Sequence, residues 1–161
     1  MQEAVGRVRE ALLAHGHADT IVAFPDGTRT AADAAAAVGC DVAQIAKSIV
    51  FRSTTKLGEQ AVVVITSGAN RVDKRRAGEA VGLKLAPAGP DFVLAATGFA
   101  PGGVSPVGLL GSPLLLLDED LLALDPVWAA AGSASHVFRT TAAALQAMTG
   151  ATVASIRQDA R

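Results

Sequence analysis

The segment QAVVVITS, residues 60 to 67, constrains this chain more than any other. Its valines and isoleucine are β-branched, which favours a strand. It has no polar alternation and so no face to give to water, which predicts a strand covered on both sides in the interior of a sheet. With 161 residues at 50% hydrophobic content, the chain can build one core around that strand and is too short to expect two. The expectation is a single domain over residues 1–161.

The flanking segments supply helices and further strands in no regular alternation. Val5, Val8 and Leu12 recur at helical spacing within residues 2 to 14, and Gly16 is a suitable stop. TIVAF reads as a short strand closed by the turn PDGT. Thr30 can cap a helix through AADAAAAV that ends at Gly39, and Asp41 can cap a very short one that leads into the β-rich run KSIVFR, beginning at Lys47. Asp73 caps a basic helix ending near Gly82, DFVLAAT is a short helix, and PLLLLD is a second buried strand. VWAAAG and HVFRT pair as a hairpin, Thr141 caps a helix running to Gly150, and TVASI closes as a strand. Such mixing favours an α+β, mixed α/β architecture with a barrel-like mixed sheet over a doubly wound fold.

Charge and cysteine usage narrow the functional classes. A net charge of -1 gives no global attraction to nucleic acid, so polyanion binding needs a local cluster, for which RVDKRR offers Arg71, Lys74, Arg75 and Arg76. The other reading of that cluster is the solvated face of a helix. A lone Cys40 excludes an internal disulfide and suits a reducing cytosol. The N-terminus is charged and amphipathic, unlike a secretory signal. The richest apolar run, LLGSPLLLLDEDLLAL, is broken by Gly111, Pro113 and three acids. No membrane association and a cytoplasmic location are expected.

GFAPGGVSPVG, residues 98 to 108, holds four glycines, two prolines and one serine, with no acid or base among its eleven residues. It does not match a serine nucleophile elbow, because Val107 stands where the second glycine belongs and Pro106 after Ser105 has no N–H for an oxyanion hole. Ser105 is therefore a poor nucleophile. The chain has no phosphate-binding P-loop and no dinucleotide fingerprint. His15 and His17 fall at a helix end, where they suit the dipole. His136 has no companion at ligand spacing, which favours a turn or surface role, with a substrate contact as the alternative. Asn70 and Gly68 read as turn formers. From spacing alone, Lys47 is best read as a strand-end lysine reaching water, with a ligand contact as the competing reading.

Together the segments AQIAKSIVF (43 to 51), VVVITSGANRVD (62 to 73), TGFAPGGVSPVG (97 to 108) and VWAAAGSASHVFRTTAAAL (127 to 145) resemble the YbaK/EbsC family of prolyl-tRNA-associated editing domains, which also occur inserted in bacterial prolyl-tRNA synthetases. The resemblance covers most of the chain in the family's order. Its most specific element is the pairing of a lysine after a short helix with a G-x-x-x-P loop.

The resemblance implies a compact domain around a barrel-like sheet that hydrolyses the ester joining a wrong, small amino acid to the 3′-terminal adenosine of a tRNA, without metal or organic cofactor. Aminoacylated tRNA is the implied partner, an aminoacyl-tRNA synthetase a further candidate, and DNA none. Lys47 is implied to engage the terminal phosphate, with Gly102, Gly103 and Pro106 forming the catalytic loop. An aminoacyl ester is already activated, so preorganised backbone amides that stabilise the carbonyl oxygen can replace a side-chain nucleophile. Glycines at 102 and 103 let a ligand approach without a Cβ in the way, while Pro101 and Pro106 stiffen the loop.

Ser48, Ile49, Thr97, Gly98, Val104 and Ser105 are the implied substrate contacts, and the cluster Arg71, Lys74, Arg75 and Arg76 is expected, from its local charge, to guide the tRNA body. Lys47-Ser48-Ile49 departs from the lysine-threonine and lysine-asparagine pairs of the cysteine- and alanine-clearing members. The amino acid therefore stays open among alanine, cysteine, serine and threonine, with proline tRNA as the leading tRNA. The alternative function is a non-catalytic module that holds a nucleotide or a tRNA end in the same cleft.

Overall fold

The computed structural model describes residues 2–159. Its centre is strand β3, Gly58–Ser67, and from Ala61 to Ser67 every residue of it is buried. The alternation missing from the sequence is present as two cores. Val63 and Ile65 pack on one face with Val8, Leu12, Phe99, Leu117 and Phe138, while Val62 and Val64 pack on the other with Phe51, Ala77, Leu85 and Ile156. Full burial of each such side chain stabilises the fold by roughly 1.5–3 kcal/mol, so both faces contribute to holding β3 in place.

Helix α1, Gln2–Ala14, buries Val5, Val8 and Leu12 in the first core. After β1 (Ile21–Ala23) comes α2, Ala31–Val38, whose first turn is capped by Thr30 Oγ1 accepting from Asp33 N at 3.0 Å. A 3-10 turn at Val42–Gln44 delivers the chain to β2, Ile45–Thr55, so the strand opens two residues before Lys47, earlier than the sequence pattern places it. Helix α3, Lys74–Val81, is capped by Asp73, which accepts from Arg75 N and Arg76 N. Strand β4 is the dipeptide Ala86–Pro87 and α4 spans Pro90–Thr97. Strand β5 (Leu114–Asp118) and a 3-10 turn at Glu119–Ala123 precede the hairpin of β6 (Val127–Ser133) and β7 (His136–Thr140). Thr141 caps α5, Ala142–Thr149, and β8 is Thr152–Ala154. No helix among the described residues is long and apolar enough to cross a membrane.

The eight strands form one mixed sheet in the order β1-β7-β6-β2-β3-β5-β8, with β4 added to β2 off that path. The pairs β2/β3, β6/β7, β1/β7 and β2/β4 are antiparallel, whereas β2/β6, β3/β5 and β5/β8 are parallel. The fold is thus the mixed α/β single domain expected, but the sheet is not a closed barrel. A barrel needs a continuous staggered ladder. Here the ladder ends at the short strands β1 and β8, and it branches at β2, one edge of which is shared between two partners.

Candidate active site

The branch at β2 creates the site. On one edge β2 pairs with β3 along its whole length, bringing Lys47 opposite Thr66 and Ser48 opposite Ile65. On the other edge Ile45 and Ala46 pair with Trp128 and Ala129 of β6, and Phe51 and Arg52 pair with Pro87 and Ala86 of β4. Between these contacts, from Lys47 to Val50, no described strand lies against that edge. A pocket of about 230 Å³ opens there, with Lys47, Ser48 and Ile49 on the β2 wall, Arg29 and Thr30 at the start of α2, and Gly102 and Val104 from the glycine loop. Ala31, Ala34, Ala130 and Val137 supply small apolar lining.

Lys47 is half-buried, and burial first, then the charge of Arg71, holds its pKa below the ordinary lysine value. It has no carboxylate partner among the described residues, so its charge is available to a ligand. Ser48 Oγ is buried and makes no hydrogen bond. An unpaired buried hydroxyl is costly, which marks it as a place where a ligand or water adds a partner.

The loop 98–108 is held from outside by α1. Arg7 donates from Nη2 to the Gly98 carbonyl at 2.6 Å and from Nε to the Gly108 carbonyl at 3.4 Å, and its guanidinium lies 4.9 Å from the centre of the buried Phe99 ring. Within the loop, Gly103 N donates to Ala100 O at 3.0 Å. The N–H groups of Gly102 and Val104 donate to no acceptor among the described residues, and both residues line the pocket. Gly102 has φ 88°, a left-handed conformation suited to glycine. Gly103 is required for a different reason, because a Cβ there would stand 2.8 Å from backbone atoms of Ser133.

Several residues expected at the substrate lie outside the lining of this pocket. Thr97 is buried, its Oγ1 donating to Val93 O at 2.7 Å and accepting from Phe99 N, and Gly98 is the left-handed cap of α4, so both shape the loop without lining the pocket. Ser105 is fully buried and its Oγ accepts from Val107 N at 3.1 Å across the buried Pro106, and neither residue lines the pocket. The amide of Gly103 is engaged in its own turn, whereas those of Gly102 and Val104 have no acceptor among the described residues.

The basic cluster divides as well. Arg75 pairs with Glu79 at 3.0 Å and Arg76 with Asp159 at 2.9 Å, while Lys74 and Arg75 line a separate surface groove with Leu83. Only Arg71 acts electrostatically on Lys47. His136 is outside the pocket lining and shares a 2.6 Å hydrogen bond between Nδ1 and Ser133 Oγ.

Three supporting residues were not singled out from the sequence. Arg7 is one of two arginines on the amphipathic first helix and Arg29 a single cation in a polar stretch, and neither has a motif around it. Asp118 ends β5 almost fully buried, and it accepts from Thr66 Oγ1 at 2.9 Å, Ser67 N at 3.0 Å, Asn70 Nδ2 at 2.8 Å and Asp120 N at 2.9 Å. Asn70 also donates to Asp120 at 2.9 Å, which gives it a role beyond its turn. This network fixes the end of β3 that faces Lys47. The signal for Asp118 is an acid terminating an apolar strand.

Comparison with known proteins places this architecture. The family model described as "Aminoacyl-tRNA editing domain" matches residues 25–148. Similar structures include a candidate trans-editing enzyme for prolyl tRNA synthetase, 43% identical with a TM-score of 0.88 over 97% of this chain and 98% of that one. The protein APE2540 is 28% identical, with a TM-score of 0.86 over 94% and 99% of the two chains. The uncharacterized protein YwhH of Bacillus subtilis (strain 168) is 31% identical over 121 residues, 75% of each chain.

Proposed function

The chain belongs to the family of aminoacyl-tRNA editing domains, and from that premise we propose that it is a trans-acting deacylase that hydrolyses the ester between a small, wrongly attached amino acid and the 3′-terminal adenosine of a tRNA. The observation that carries this reading is that one pocket is lined by an unpaired half-buried lysine, Lys47, and by two residues whose backbone N–H groups have no acceptor among the described residues, Gly102 and Val104.

Each group has a distinct task. Lys47 binds a phosphate of the terminal nucleotide and so places the ester within the pocket. Water adds to the ester carbonyl, and the negative charge that develops on its oxygen is met by the Gly102 and Val104 amides, which need no reorganisation. Collapse breaks the acyl–oxygen bond, the ribose oxygen takes up a proton, and the free amino acid and the tRNA depart. No histidine, cysteine or carboxylate lines the pocket, so the chain's part here is positioning and charge stabilisation, with a ribose hydroxyl of the substrate assisting proton transfer.

The small apolar lining of Ala31, Ala34, Ala130 and Val137 supports an amino acid of the alanine, cysteine, serine or threonine class. Proline tRNA is the first tRNA to test, since the 43% identical structure is that of a candidate trans-editing enzyme for prolyl tRNA synthetase. The setting is the cytoplasm. Proline tRNA charged in turn with alanine, cysteine, serine, threonine and proline is incubated with the protein and the remaining ester measured. Hydrolysis of at least one mischarged species with sparing of the prolyl ester is expected. No acceleration over the uncatalysed rate for any species would leave a non-catalytic tRNA-end module.

A further inference from the structure

The pocket contains a second cation that its motifs do not announce. Arg29 is exposed at the rim, between two residues whose backbone is fixed. Thr28 is buried and its N donates to Ala134 O at 2.6 Å, while Thr30 caps α2. The Arg29 stem lies across Gly102, with Cγ at 3.1 Å and Nε at 3.2 Å from where a Cβ of that residue would stand. A side chain at 102 would therefore displace Arg29, and the glycine serves the arginine as well as its own φ.

Its guanidinium is also without a partner. Arg9 pairs with Asp19, Arg52 with Glu59, Arg75 with Glu79, Arg76 with Asp159 and Arg157 with Asp120. Among the described residues Arg29 has no carboxylate and no carbonyl acceptor, and no acid lines the pocket it borders. Arg29 and Lys47 thus line one pocket as two cations without an acidic partner, and an anion that reaches both gains a favourable pairing with each. On a protein of net charge -1, this is a local positive rim around a mouth of small volume.

Resting on the deacylase reading, the geometry points to Arg29 as a substrate-positioning residue that, with Lys47, grips the phosphates of the single-stranded 3′ end of the tRNA. The oxyanion donors are at Gly102 and Val104 inside the pocket, whereas Arg29 is at its rim, where the polynucleotide backbone enters. The planar fork of arginine can hold one phosphate through two parallel bonds, and Lys47 meets the other. The pair sets the direction in which the strand enters, with the terminal ribose toward the pocket.

The test separates this role from the deacylase reading by using an uncharged probe. Binding of a fluorescent single-stranded oligoribonucleotide ending in CCA is measured by anisotropy across a salt series, for the wild-type protein, Arg29→Ala and Arg29→Lys. Arg29→Ala is expected to weaken binding roughly tenfold and to reduce the slope of log affinity against log salt by about 0.7, the value for one phosphate on a single strand. Arg29→Lys should keep the slope and recover part of the affinity. A thermal melt equal to wild type confirms that the variants are folded, as the exposure of Arg29 predicts. Unchanged affinity and slope in Arg29→Ala, or no binding by the wild type, overturns the inference whatever the ester assays show. Loss of esterase activity across all charged tRNAs with Arg29-dependent binding intact overturns the deacylase reading alone.

Discussion

Arg7 Nη2 donates to the carbonyl oxygen of Gly98 at 2.6 Å, and through this bond helix α1 holds one end of the loop that lines the pocket. The same side chain reaches Gly108 O at the other end, so one guanidinium spans the loop. Arg7→Met keeps an apolar contact to Phe99 and removes both donors. It is expected to lower kcat/KM for ester hydrolysis by about tenfold to 100-fold through misplacement of the loop amides, with a smaller change in the melting temperature. An unchanged kcat/KM would show that the loop holds its shape without α1.

Lys47 should be essential to function and unhelpful to stability. Lys47→Met is expected to abolish most deacylation while leaving the protein at least as stable as wild type, because it removes a charge that burial disfavours. The pH dependence follows from the same cause. With the folded-state pKa below the ordinary value, the unfolded chain binds the proton more tightly. The penalty is fully present below the folded pKa and disappears as pH rises to the unfolded value. Wild-type stability therefore gains over that alkaline window relative to Lys47→Met. Oligonucleotide affinity moves the opposite way, falling as Lys47 loses its proton. Paired denaturation and anisotropy titrations check both directions.

Gly103 and Ser105 make different demands although only two residues apart. Gly103→Ala places a Cβ 2.8 Å from the Ser133 backbone, and the resulting overpacking should cost about 1–3 kcal/mol of stability together with most activity. Ser105→Ala removes only the acceptor for Val107 N and should cost about 1 kcal/mol with activity per folded molecule nearly intact. Denaturant melts alongside ester hydrolysis on one charged tRNA decide it. An inactive but fully folded Ser105→Ala would make the serine a participant in the chemistry.

Asp118→Ala removes the acceptor for Thr66, Ser67 and Asn70 at once. Losing a buried charged acceptor and stranding its donors is expected to destabilise the protein by about 3 kcal/mol or more. Because Thr66 is the register partner of Lys47, the residual folded protein should also bind the oligonucleotide less tightly. Equilibrium unfolding and anisotropy test the two effects separately.

The legible parts of the molecule were those set by local rules. The caps at Thr30, Asp73 and Thr141 and the left-handed glycines at 39, 82 and 150 bound α2, α3 and α5 as their side chains predict. The apolar run at 61–67 lies inside the sheet because it has nowhere else to go. Strand β4 was not legible, since a dipeptide containing Pro87 carries no strand pattern and exists only because β2 offers it an edge. Sheet closure is likewise a matter of long-range pairing. At the site, Lys47 and Gly102 stand out by motif, but Arg29 acquires meaning only from Gly102, and Arg7 only from Gly98 and Gly108, which lie 91 and 101 residues from it in sequence.

The gap on the edge of β2 has an evolutionary consequence. The groups proposed to act on the ester are main-chain amides, and a main-chain amide is present whatever side chain its residue carries, proline excepted. Point mutation at Ser48, Ile49, Ala130 or Val137 can therefore reshape what the pocket admits while the apparatus that would cleave the ester is inherited unchanged. A scaffold of this kind separates the residues that choose a substrate from the atoms that act on it, so a duplicated copy can acquire a new preference in a few steps without passing through an inactive ancestor.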